Sequence, residues 1–150
     1  MGRVIGTLIC LAVGLGLMGT VAGCGRQVNV SPPNPIDPRC ERVISALPDT
    51  IDGAGKRPVQ PDSTATAAWG EPPIVLRCGV ARPAALTPTS ALIEVSGVAW
   101  LPEELTNGIL FTNVAWPDPA NPLYLEIAVP EAYPSPANVL ADISPVLASL

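Results

Sequence analysis

The apolar positions along this chain change rhythm several times, and each rhythm predicts an element. Leu123, Leu125, Ile127 and Val129 alternate with Tyr124 and Glu126, the period of two of a half-buried β-strand. Cys40, Val43, Ile44 and Leu47 recur at the spacing of one helical face, while Arg39, Glu41 and Arg42 lie off it. Asp37-Pro38 suits the start of that helix, and Pro48 ends it by pushing Leu47 out of the α region. The pattern therefore predicts a helix over residues 37–47. Val139, Leu140, Ile143, Val146, Leu147 and Leu150 form a second apolar stripe after Ser135-Pro136. Pro145 falls inside this stripe and, with Ser144 as a cap, predicts a fresh short turn. Asp142 is the single charge of its polar face, which favours packing on a sheet over lying in a membrane surface.

The middle of the chain reads as strands. Ile74, Val75, Leu76, Arg77 and Cys78 form a β-prone run, entered after Pro72-Pro73 and left at Gly79. Residues 64–69 predict a short strand ahead of it. Residues 91–101 are β-rich, with Gly97 expected as a bulge. Residues 102–108 read as a loop turning at Asn107-Gly108, and residues 109–116 as the next strand, stopped by Pro117. Residues 49–63 read as a flexible surface turn. Lys56 follows two glycines there, but the G-x-x-x-x-G-K-[ST] spacing of a phosphate loop is absent. The expected class is α+β. It is an antiparallel sheet of about four or five strands with the N-terminal and C-terminal helices packed on one face.

The first residues carry a different signal. Arg3 is followed by an apolar run from Val4 to Met18 and then by Val21-Ala22-Gly23-Cys24. A basic residue, an apolar core and small residues before a cut describe an export leader over residues 1–23. Val21-Ala22-Gly23-Cys24 resembles the lipobox of bacterial lipoproteins, which implies cleavage before Cys24 and lipidation of its thiol. The competing expectation is an uncleaved membrane helix over residues 4–23, close to the ~20 residues that span a bilayer. Residues 24–36 read as a Pro-rich tether, which at ~3.1 Å per residue would hold a domain spanning residues 37–150 a few tens of Å from the membrane. A leading edge strand at Val28, Asn29 and Val30 is the alternative for that stretch.

Four cysteines then resolve by position. Cys10 lies in the leader and Cys24 is the lipidation candidate, which leaves Cys40 and Cys78 for a disulfide in an oxidising compartment. A reactive or metal-binding pair is the rival reading. Against it, the 150 residues contain no histidine, and two thiols so far apart are not a C-x-x-C motif. The lack of histidine also removes the commonest general base, so no catalytic residue, metal site or cofactor is assigned. Glu103-Glu104 reads as a solvated acidic tip, and Glu94 and Glu126 as cross-strand partners of each other or of Arg77. Eight Lys and Arg against 13 Asp and Glu give a net charge of −5, and the scattered basic residues exclude a nucleic-acid partner.

W-G-x-P-P-x-x-L-x-C-G at residues 69–79 stands with C-x-x-V-I-x-x-L-P at residues 40–48 and V-P-x-x-Y at residues 129–133. Together they resemble a family of exported actinobacterial proteins built on a domain of unknown function. The resemblance implies an outward-facing envelope protein of high-GC Gram-positive bacteria. It brings no catalytic residues.

The remaining candidates are aromatic. Trp69, Trp100 and Trp116 lie at or near strand ends. Sharing one rim, they would stack on a sugar or anchor a protein partner together with Arg77; otherwise they cap the ends of a small core. The sequence thus points to a non-enzymatic lipoprotein anchored on the outer face of the cytoplasmic membrane. It would act there as a structural or accessory module that binds another envelope protein. The alternative is a module for a cell-wall glycan or small ligand that uses the tryptophans.

Overall fold

The computed structural model describes residues 26–150. The leader and Cys24 therefore lie outside the described residues. Ten strands and two helices follow in the order β1 (Val28–Asn29), α1 (Arg39–Ala46), β2 (Thr50–Ile51), β3 (Ala54–Arg57), β4 (Val59–Gln60), β5 (Thr66–Trp69), β6 (Ile74–Val80), β7 (Ile93–Val95), β8 (Val98–Leu105), β9 (Gly108–Val114), β10 (Tyr124–Pro130) and α2 (Pro136–Ala148). Eight strands form one sheet in the order β2-β3-β5-β6-β10-β9-β8-β7, with every neighbouring pair antiparallel. Two meanders, β2 to β6 and β7 to β10, are zipped together where β10 pairs with β6. The expected α+β fold with a sheet of four or five strands is corrected: the protein is mostly one large antiparallel sheet of eight strands, with two helices.

Two hairpins account for most of the difference. Asp52 and Gly53 both take positive φ, 47° and 75°, and turn β2 into β3. Ser96 and Gly97 do the same at 50° and 78°, so residues 91–101 are not one bulged strand but β7, a two-residue turn and β8. Paired positive φ values match the twist of the flanking strands, which is why two-residue loops of this kind close hairpins. β8 also runs through Pro102, Glu103 and Glu104, which the sequence assigned to a loop. Pro102 is tolerated because β7 pairs with β8 only as far as Trp100, so no strand lies beside Pro102 on that side.

The two faces of the sheet differ. On one, Ile74, Leu76 and Cys78 of β6 and Leu125, Ile127 and Val129 of β10 are buried beneath both helices. α1 contributes Cys40, Val43 and Leu47, and α2 contributes Val139, Leu140, Ile143 and Leu147. Cys40 and Cys78 are bonded, with Cα atoms 5.6 Å apart, which staples α1 to the central strand. α2 is one helix through Pro145 rather than a helix and a new turn. Ala141 and Pro145 are exposed, so water can satisfy the carbonyl that loses its helical partner. The Asp142 carboxylate accepts from the Asp52 backbone N–H at 2.8 Å and fastens α2 to the β2–β3 turn.

The opposite face carries the segment expected to be a tether. β1 pairs in parallel with β4, and Val28 and Val30 are buried against Ala68, Val59 and Val75. The Val28 and Val30 N–H groups donate to the carbonyls of Pro58 and Gln60 at 2.9 and 3.0 Å. Residues 28–30 are thus part of the folded body. Among the described residues no helix is long and apolar enough to cross a membrane.

Candidate functional site

The sequence candidates divide between the two faces. On the helical face, Trp69 and Trp100 are fully buried. The Trp69 indole N–H donates to the Pro48 carbonyl at 2.9 Å, and that of Trp100 to Ser144 Oγ at 3.0 Å. Trp116 is half-buried and donates to the Leu147 carbonyl at 3.1 Å. Trp69 holds the connection after α1, while Trp100 and Trp116 hold α2. Two of the three rings are closed to solvent, so the expected tryptophan surface for a sugar does not form. An indole buries a large apolar area and must then place its single N–H, and each of these has a partner inside the fold.

Arg77 lies on the other face. β6 and β10 pair Arg77 directly with Glu126, as the sequence allowed. Arg77 Nη1 donates to Glu126 Oε1 at 2.7 Å, and Nε donates to the Ser31 carbonyl at 3.0 Å. The two side chains are 37% and 21% exposed. They floor a cleft of about 370 Å³ whose walls are Pro33 and Asn34 on one side and Gly79, Val80 and Ala81 on the other. With Glu126 beside it, Arg77 is already neutralised, so the cleft suits a neutral polar group better than a free anion. The sheet separates Arg77 from Trp69 and Trp100.

A longer groove runs between α1, β3 and the chain after β4. Ile36, Ile44, Glu41, Ser45, Lys56, Asp62 and Ser63 line a recess of about 520 Å³. A second recess of about 390 Å³ shares Ile44, Lys56, Asp62 and Ser63 and extends past Arg57, Val59 and Thr66. Ile36 is 44% exposed there. Thr66 Oγ1 is buried without a hydrogen-bond partner among the described residues. The groove thus joins two isoleucines to charges of both signs. No sequence signal marked it, because its walls come from segments read as tether, helix and surface turn.

Two glycines fix the ends of the central segment. Gly70 has φ +71°, and a Cβ there would lie 2.1 Å from Tyr133 Oη, which itself donates to the Pro72 carbonyl at 3.0 Å. Gly79 has φ +82°, and a Cβ there would lie 3.3 Å from Cys40 Sγ. Burial, with the nearby Asp52 and Glu71 carboxylates, raises the Tyr133 pKa above its ordinary value. At the start of α1, the Arg39 guanidinium hydrogen-bonds Asp37 and lowers that carboxyl's pKa, against a smaller opposing effect of burial. Sequence reasoning also missed Asn113, buried in β9, whose side chain donates to the Leu123 carbonyl at 2.9 Å and accepts from the Leu125 N–H at 2.5 Å. Among the described residues, no group of three or more His, Cys, Asp or Glu side chains gathers to hold a metal.

The segments carrying the Trp69 to Gly79 run, the disulfide helix and the Val129 to Tyr133 turn meet in one body. A family model spans residues 7–150. The chain belongs to the family described as Protein of unknown function (DUF3515). No curated protein and no solved structure matches this DUF3515 chain. Within the matched residues, Gly70 packs against Tyr133, Gly79 against Cys40, and Cys40 is bonded to Cys78.

Proposed function

We propose that this protein is a non-enzymatic lipoprotein of an actinobacterial envelope, anchored through Cys24 and facing outward, that binds another envelope protein. The observation that carries the binding part is the groove beside α1. An apolar centre, Ile36 and Ile44, is ringed by Glu41, Lys56 and Asp62. Buried apolar anchors within a polar, charged rim are the composition of a protein contact rather than of a sugar platform. The location part draws support from the disulfide, a bond that persists outside the reducing cytosol.

Two experiments test the two parts. Metabolic labelling with a palmitate analogue should mark the protein, and Cys24→Ala should abolish the label. Persistence of the label in Cys24→Ala would count against the anchor. A photo-crosslinking residue at Ser45 should then give one discrete adduct in intact cells, lost in Ile36→Asp while the melting temperature and the disulfide stay unchanged. Adducts no stronger than those from a probe at Thr89, which does not line the groove, would end the binding reading.

A further inference from the structure

The topology sets which end of the body faces the anchor. β2 and β3 turn at residues 52–53, β5 and β6 at residues 70–73, and β8 and β9 at residues 106–107; with every pairing antiparallel, these three turns lie at one end of the sheet. The connection from β10 to α2, residues 131–135, leaves from the same end, and the Glu131 N–H donates to the Asn107 carbonyl at 3.0 Å. β1 runs parallel to β4 away from this end, so Arg26 lies at it too. Side chains join these pieces into one surface. Arg57 Nη2 donates to the Arg26 carbonyl, Arg57 Nη1 reaches both the Gly70 carbonyl at 2.9 Å and the Glu71 carboxylate, and Tyr133 bonds Pro72.

Cys24 is two residues before Arg26. Two residues of chain reach at most about 7 Å. We infer that, once Cys24 carries its lipid, this end of the sheet rests directly on the outer-leaflet headgroups, with no spacer between body and bilayer. The inference rests on the anchoring reading above. Headgroups then contact the turns at residues 52–53, 70–73 and 106–107 and the exposed Leu105. A recess of about 400 Å³ lined by Glu104, Leu105, Thr106, Glu131 and Tyr133 opens at the membrane plane. The turn at residues 96–97 and the segment from Trp116 to Leu123 point away, toward the wall. Asp52, Glu71, Glu104 and Glu131 outnumber Arg26 and Arg57 at the membrane end, so attraction to anionic lipid does not hold it there; the covalent anchor does.

The test uses the full lipidated chain in the membranes of intact spheroplasts. Thr106→Cys places a thiol at the membrane end and Ala120→Cys places one at the far end, both at exposed positions. A bulky, impermeant maleimide should react with Thr106→Cys roughly tenfold more slowly than with Ala120→Cys, because the membrane-facing surface reacts only in a minor tilted population. The difference should vanish when about 20 Gly and Ser residues are inserted after Gly25. Equal rates in protein that carries the palmitate label overturn the orientation alone. Slow reaction that survives the insertion also overturns it, since the shield is then something other than the bilayer. Absence of the label from Cys24 overturns the anchoring reading and this inference together.

Discussion

Opening the Cys40–Cys78 bridge is the perturbation whose size follows most directly from the fold. The bond spans a sequence separation of 38 and joins α1 to β6, an interior strand of the eight-stranded sheet. On the chain-entropy account, closing a loop of that length removes about 4 kcal/mol of freedom from the unfolded chain. For the 125 described residues the unfolding entropy near the midpoint is about 0.26 kcal/mol per degree, so reduction should lower the melting temperature by about 15 °C. Both sulfurs are fully buried, so a reductant meets the bond only when the protein opens. The protein should therefore be reduced in denaturant, refolded with the thiols free, and melted beside the oxidised form by circular dichroism, with free thiols counted by mass. Reduced wild type keeps both sulfur atoms, which separates the loop effect from the loss of packed volume in Cys40→Ala/Cys78→Ala. Melting temperatures that agree within about 2 °C would refute the reasoning, because the loop would then be constrained without the bond.

Ser144→Ala leaves the buried Trp100 indole N–H without its partner and should cost about 1–3 kcal/mol in urea unfolding, with much of the loss absent when Trp100→Phe is the background. Gly70→Ala should cost well over 1 kcal/mol, since a positive φ is joined to a Cβ meeting Tyr133 Oη; Tyr133→Phe should recover part of that loss, and no recovery in the double variant would discard the contact. Asp37 is lowered by Arg39, so it stabilises the fold above its unfolded pKa and the contribution fades as pH falls through the folded value; Asp37→Asn should flatten the acid limb of melting temperature against pH. Tyr133 is raised, chiefly by burial, so its contribution is complete below its unfolded pKa of about 10 and fades as pH climbs through the folded value; Tyr133→Phe should remove that alkaline limb.

Strong periodicity survived the passage from sequence to structure. The alternation from Leu123 to Val129 became β10 with its apolar side inward, and the Cys40, Val43 and Leu47 stripe became the buried side of α1. The bridge could be read because only two cysteines were left outside the leader and its junction. Short strands were the failure. β2 and β4 have two residues each, and β3 is Ala-Gly-Lys-Arg, so none offers enough positions to show a period. The legible signal there is Asp52-Gly53, a hairpin dipeptide inside a stretch that otherwise reads as a surface turn. Pro102 misled in the opposite sense, since proline stops an interior strand but not one whose outer side faces no neighbour. The three tryptophans show a different limit. A strand-end indole looks the same in sequence whether its ring faces solvent or α2, and only the Pro48, Ser144 and Leu147 partners decide it.

Residues 28–30 belong to the folded body, and that removes the spacer between the sheet and Cys24. Amide hydrogen exchange in the native protein reads this residue by residue. The Val28 and Val30 N–H groups, bonded to Pro58 and Gln60, should exchange orders of magnitude more slowly than an open chain of the same sequence. Exchange at the open-chain rate at both positions would contradict the account and restore the tether.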